Sequence, residues 1–207
     1  MHSKKIITAG KKLGEAKKAL IMLHGRGGSA EDILSLADHL NVKDFALLAP
    51  QATNESWYPH SFLAVPASNE PWLGSALGLI KTMVAEITAS GINTSDIYFT
   101  GFSQGACLTL EFVSRNATKY GGVAAFTGGL IGDTIYPENY TGDFAGTPIF
   151  IGTSDPDMHV PVERVNASAT LLESMNAVVT KKIYKNMGHT VTGDEILQAN
   201  NYVFTGK

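Results

Sequence analysis

Gly101-Phe102-Ser103-Gln104-Gly105 sets a serine between two glycines, directly after the apolar run 97–100 and ahead of a helix-compatible segment at 107–112. Strand, tight turn and helix in that order hold a serine in a strained backbone conformation with its hydroxyl exposed. The flanking glycines let helix and strand approach each other beneath it. The helix start adds peptide N–H groups and a partial positive charge where an oxyanion would form, and the Gln104 N–H is the nearest donor. The predicted chemistry is attack by Ser103 on an acyl carbonyl, for which a serine needs a base. Of the six histidines, His2 lies near the first residue and His39 at a helix end, while His60 and His159 lack a framing motif. His189, in Asn186-Met187-Gly188-His189, follows the strand-like stretch 178–184 and precedes a helix announced by Thr192-Gly193-Asp194-Glu195. It is the expected base. An acid that fixes the imidazole tautomer should follow a strand lying between Ser103 and His189. The run 148–151 leads into Gly152-Thr153-Ser154-Asp155-Pro156-Asp157, where two carboxylates compete. The one not used is a turn residue or a helix N-cap before Pro161.

With His24-Gly25-Arg26-Gly27-Gly28 after the first core strand, the serine pentapeptide, Asp157-Met158-His159-Val160-Pro161 and Gly188-His189, the chain resembles the phospholipase/carboxylesterase family of α/β-hydrolases, which includes the acyl-protein thioesterases. The likeness spans nearly the whole chain, in the order Ser, Asp, His. It implies an α/β-hydrolase fold with a mostly parallel central sheet covered by helices on both faces and no large lid. It also implies a triad of Ser103, His189 and Asp157, because the spacing from Asp157 to Val160-Pro161 matches the family's acid; Asp155 is then expected to bond its own loop. The implied oxyanion donors are the backbone N–H groups of Arg26 and Gln104. Relatives often carry Leu at the Arg26 position, so a guanidinium here predicts a site favouring carboxylate, phosphate or polar ester groups. Trp57 or Phe62 is expected to line the acyl or alcohol site, in a segment where relatives also carry a tryptophan. The implied substrate is a small to medium carboxylic ester, with an acyl thioester or lysophospholipid as the alternative, and no cofactor is called for. A non-catalytic ligand-binding descendant of the fold is the alternative from another class.

Competing readings fail on context. Gly25-Arg26-Gly27-Gly28-Ser29-Ala30 also fits a dinucleotide fingerprint, but the next strand, 45–49, ends without the acidic residue that would hold a ribose. Neither H-E-x-x-H nor paired cysteines occur, so no metal site is expected. Cys107, one helical turn beyond Ser103, is expected in the core.

Positioning this constellation requires a sheet. Apolar runs at 19–23, 45–49, 97–100, 123–126 and 148–151 are bounded by turn-forming or polar residues. Continuous runs of this kind suit parallel strands buried on both faces. Between them lie helical patterns: a capping box at Ser29-Ala30-Glu31-Asp32 opening a helix to about Leu40, a long helix over 71–90, and another beginning at Pro161. Residues 4–9 are expected as an antiparallel edge strand. Ligands of such sheets bind at the carboxyl ends of the strands. The 207 residues, 44% hydrophobic and 17% charged, fit one globular domain over 1–207. A formal net charge of -3 offers no positive field for nucleic acid. No run approaches the roughly 20 apolar residues of a membrane span. A single cysteine and an N-terminal stretch without a secretory hydrophobic region set the expectation of a reducing cytoplasm. Oligomeric state is left open, a homodimer included.

Overall fold

The computed structural model describes residues 1–206. Among them, seven strands form one sheet: β1 (Ile6–Gly10), β2 (Lys18–Leu23), β3 (Phe45–Pro50), β4 (Ile97–Phe102), β5 (Gly122–Phe126), β6 (Pro148–Asp155) and β7 (Val178–Lys185), in spatial order β1-β3-β2-β4-β5-β6-β7. All neighbours pair in parallel except β1, which runs antiparallel to β3 with Ile6 opposite Pro50, as expected of the edge.

The apolar runs are continuous because both faces are covered. Successive strand residues point to opposite sides. Thus Ala19, Ile21 and Leu23 join one core with helices α2 (Trp72–Ala89), α3 (Gln104–Arg115) and α4 (Val162–Ser174). Leu20 and Met22 join a second core with α1 (Ala30–Leu34) and α5 (Gly193–Tyr202). The far edge, β7, is half-exposed and carries Lys181, Lys182 and Lys185, charges that disfavour pairing with another strand.

The helices follow their sequence signals with one correction. Ser29 caps α1 through a complete capping box, and Thr192 does the same for α5. Pro71 caps α2, and Gly91, at φ +99°, follows its end. The helix expected to reach Leu40 is α-helical only to Leu34 and tightens into a 3₁₀ turn over Ser35–His39. There the Ser35 hydroxyl donates back to the Asp32 carbonyl, and Leu40 and Val42 tuck into the core.

Candidate active site

Ser103 stands between β4 and α3 at φ 53°, ψ −117°, a conformation that L-residues rarely adopt. Its N–H donates to the Phe126 carbonyl (3.0 Å) and its carbonyl accepts from Cys107 N–H (3.0 Å), so the turn is fixed at both ends. The two flanking glycines are obligatory for steric reasons. A Cβ on Gly101 would meet the backbone of Gly105, and one on Gly105 would run into the carbonyl oxygen of Leu23. Any side chain at either place would push α3 off the sheet and lower Ser103 with it.

Strands β6 and β7 pair through Asp155 opposite Lys185, so their following loops emerge side by side. The β7 loop is pinned to its neighbour by Asn186 N–H on the Asp155 carbonyl (2.9 Å) and Gly188 N–H on the Ser154 hydroxyl (3.0 Å). From these loops come the other two groups. The Nε2 of His189 is 2.8 Å from Ser103 Oγ, and its Nδ1 is 2.8 Å from Asp157 Oδ2. The Asp157 side chain is fully buried. Its Oδ1 accepts from the N–H groups of His159 (2.8 Å) and Val160 (2.9 Å). Burial alone would raise this carboxyl, but the bonds from His159, His189 and Val160 together outweigh it and hold it below the usual carboxylate range. The Asx-type bonds expected of Asp155 are therefore made by Asp157, and Asp155 is exposed at the end of its strand.

A cleft of about 410 Å³ opens over Ser103, walled by Arg26, Tyr58, Phe62, Phe102, Val160 and His189 among others. At its rim lies the Gly25–Gly28 turn. Gly27 N–H donates to the Glu55 carbonyl (2.8 Å) and Gly28 N–H to that of Gly25 (3.1 Å), while the preceding Arg26 N–H has no partner among the described residues. Gln104 opens α3, so its N–H belongs to the first turn, which has no partner within the helix.

Two expectations need correction. Trp57 does not line the cleft. It is fully buried, because a large indole whose N–H needs an acceptor is satisfied behind the Gly25–Gly28 turn, donating to the His24 carbonyl (2.8 Å). Phe62 is at the cleft wall. Arg26 does not offer its guanidinium to a substrate anion. Both Nη atoms are spent on the 56–60 loop, donating to Ser56 Oγ and the carbonyls of Tyr58, Pro59 and His60. His2, set aside as a base, has a place in the fold beside these loops. It accepts from Thr53 N–H, lies 2.9 Å from the Trp57 carbonyl, and packs against Trp57 and Trp72. No periodicity links residue 2 to residue 57, so no sequence signal could have shown it.

Nor does any local pattern point to what His24 does. Its Nε2 accepts from Ala52 N–H (3.1 Å) and its Nδ1 lies 2.7 Å from the Gly25 carbonyl, an arrangement that fits a neutral ring protonated on Nδ1. Burial lowers its pKa accordingly.

Strand order, parallel crossovers and a nucleophile elbow at the carboxyl edge of the sheet define an α/β-hydrolase. The chain belongs to the phospholipase/carboxylesterase family, whose model it matches over residues 3–205, and is thereby a carboxylic ester hydrolase of the serine type. It is similar to a phospholipase/carboxylesterase from Dyadobacter fermentans DSM 18053 of known structure. The two are 57% identical, with a TM-score of 0.97 and coverage of 98% of this chain and 97% of that one. A probable carboxylesterase, SOBER1-like, of Arabidopsis thaliana is 28% identical over 87% of this chain and 76% of its own. Acyl-protein thioesterase 1 of Saccharomyces cerevisiae is 28% identical over 93% of this chain and 94% of its own. No described helix is long and apolar enough to cross a membrane.

Proposed function

We propose that the protein hydrolyses small to medium carboxylic esters through a Ser103–His189–Asp157 triad. The observation that carries this reading is the unbroken chain of two 2.8 Å contacts from Ser103 Oγ through the imidazole to a buried carboxylate. His189 Nε2 takes the serine proton as Oγ attacks the carbonyl carbon, then returns it to the departing alcohol. A water activated by the same nitrogen hydrolyses the acyl-enzyme. Asp157 holds the ring in the productive tautomer and stabilises the imidazolium. The Arg26 and Gln104 N–H groups receive the oxyanion, a role supported by their lack of other partners. Phe62 forms part of the substrate wall. The cleft volume lies near the lower end of the roughly 300–1,000 Å³ usual for ligand sites, which favours short acyl groups over lipid chains.

The similarity to a yeast acyl-protein thioesterase supports a second substrate class, acyl thioesters. A reducing cytosol is the accompanying reading of its compartment, supported by a lone cysteine kept as a buried free thiol. Two measurements test the proposal. A fluorophosphonate should label Ser103 alone, and labelling elsewhere refutes the nucleophile. In a panel of matched esters and thioesters of increasing acyl length, butyryl esters should exceed palmitoyl ones. The opposite order refutes the short-chain assignment, and faster thioester turnover moves the protein to the second class.

A further inference from the structure

The loop from residue 56 to residue 61 has no regular secondary structure, yet its backbone polar groups are bonded one after another by side chains. Trp57 N–H donates to Gln104 Oε1 (2.9 Å), and the Tyr58 carbonyl accepts from Arg26 Nη2 (2.8 Å), Gln104 Nε2 (2.8 Å) and Ser56 Oγ (2.9 Å). Arg26 also holds the Pro59 carbonyl (3.1 Å) and the His60 carbonyl (2.8 Å). From the other side, the buried Asn69 accepts from His60 N–H (2.8 Å) and donates to the Ser61 carbonyl (3.1 Å). The two residues whose side chains do most of this are the two whose backbone N–H groups are the proposed oxyanion donors. Their grip falls on the segment that supplies Tyr58, Pro59, His60 and Ser61 to the cleft wall, immediately before Phe62.

We propose that the Arg26 side chain, with that of Gln104, is a positioning and specificity-determining device that ties the cleft wall to the oxyanion hole. The inference rests on the esterase reading above and deepens it. A planar guanidinium presents several N–H groups in a fixed fork, so one side chain spans four acceptors on a loop that would otherwise adapt to its ligand. Substrate bulk that pushes the wall outward pulls on Arg26, and through it on the peptide that carries the oxyanion donor. An oversized acyl group is therefore penalised in kcat as well as in KM, because it displaces a group that acts in the transition state. The wall is a fixed gauge of acyl size.

The test combines acyl-length kinetics with amide hydrogen exchange over residues 53–65 in the wild type, Arg26→Ala, Arg26→Lys and Gln104→Glu. The last variant keeps the backbone donor but turns a carboxylate toward the Tyr58 carbonyl. Thermal unfolding identifies folded variants. In Arg26→Ala, exchange at Trp57 and His60 should quicken at least tenfold. The ratio of octanoyl to acetyl ester kcat/KM should rise at least tenfold, and kcat for the acetyl ester should fall. Arg26→Lys should behave much like Arg26→Ala, since one ammonium cannot span the fork, whereas added ethylguanidinium should restore both slow exchange and the acyl ratio in Arg26→Ala. If Arg26→Ala and Gln104→Glu both fold with unchanged exchange and an unchanged acyl ratio, the proposal is overturned. Faster exchange with no change in the ratio also overturns it, reducing the contact to a structural one. Should the wild type hydrolyse no ester, the esterase reading and the specificity claim fall together, while the exchange data still report whether the clamp exists.

Discussion

In the proposed triad Ser103 and His189 depend on each other, because an alcohol without a base and a base without an alcohol are equally idle. Ser103→Ala and His189→Ala should each lower kcat by about 10⁴- to 10⁶-fold, and the double variant should lose little more. Additive losses in steady-state kinetics would contradict a shared triad. The acid gives a sharper contrast. Asp157 is buried, accepts two backbone N–H bonds and contacts His189, whereas Asp155 is exposed two residues earlier. Asp157→Asn should fold and lose up to about 10⁴-fold in kcat through the wrong imidazole tautomer. Asp155→Asn should cost far less, and the reverse pattern would move the acid. Because the Asp157 carboxyl is held below its ordinary range, its contribution to stability is present above the unfolded pKa and fades only as pH falls through the lower folded value.

At the scale of elements, α3 is the hub on which the site rests: from Gln104 to Ser114 every residue of it is buried. A helix so enclosed has no solvent for Glu111, and the carboxylate is met by Arg115 Nε (2.6 Å), Ile131 N–H (3.0 Å) and Tyr140 Oη (2.9 Å). These bonds tie α3 to the long connection between β5 and β6. Removing the carboxylate leaves the Ile131 and Tyr140 donors unpaired in a dry interior and strips the part-exposed Arg115 of its partner. Glu111→Ala should therefore destabilise the fold by about 3–5 kcal/mol, read from chemical denaturation. A change below about 1 kcal/mol would show the cluster to be solvated.

Over the whole molecule, Cys107 reports whether the two-sided core is closed. It is fully buried at the cleft floor, and burial pushes its thiol up to about 12. In the folded protein at pH 8 it should resist iodoacetamide, and on unfolding, with an ordinary pKa near ~8.5, it should react at the rate of a free thiol. Rapid alkylation of the native protein would refute that placement. The linkage has a definite sign. Between about pH 8.5 and 12 the unfolded chain releases a proton that the folded chain keeps, so this group lowers stability by up to about 1.4 kcal/mol per pH unit as pH rises. How much of this was legible beforehand depended on the range of the interactions. Apolar runs, capping boxes, Pro71, and glycines two residues either side of Ser103 are local signals, and from them the sequence by itself determined the strands, the helices, the elbow and the covered parallel sheet. Ser103, Asp157 and His189 could be singled out because each follows a strand whose carboxyl end must face the same edge, although choosing Asp157 over Asp155 leaned on likeness to a family. Where side chains go across the fold was not local. Arg26 gripping residues 56–60 along the cleft wall, Trp57 sinking behind His24, and His2 closing over Trp57 each join positions about 30 to 55 residues apart. Those pairings exist only once the loops above the sheet are packed together, since it is packing that decides which buried carbonyls lack a donor and which side chain is within reach to supply one.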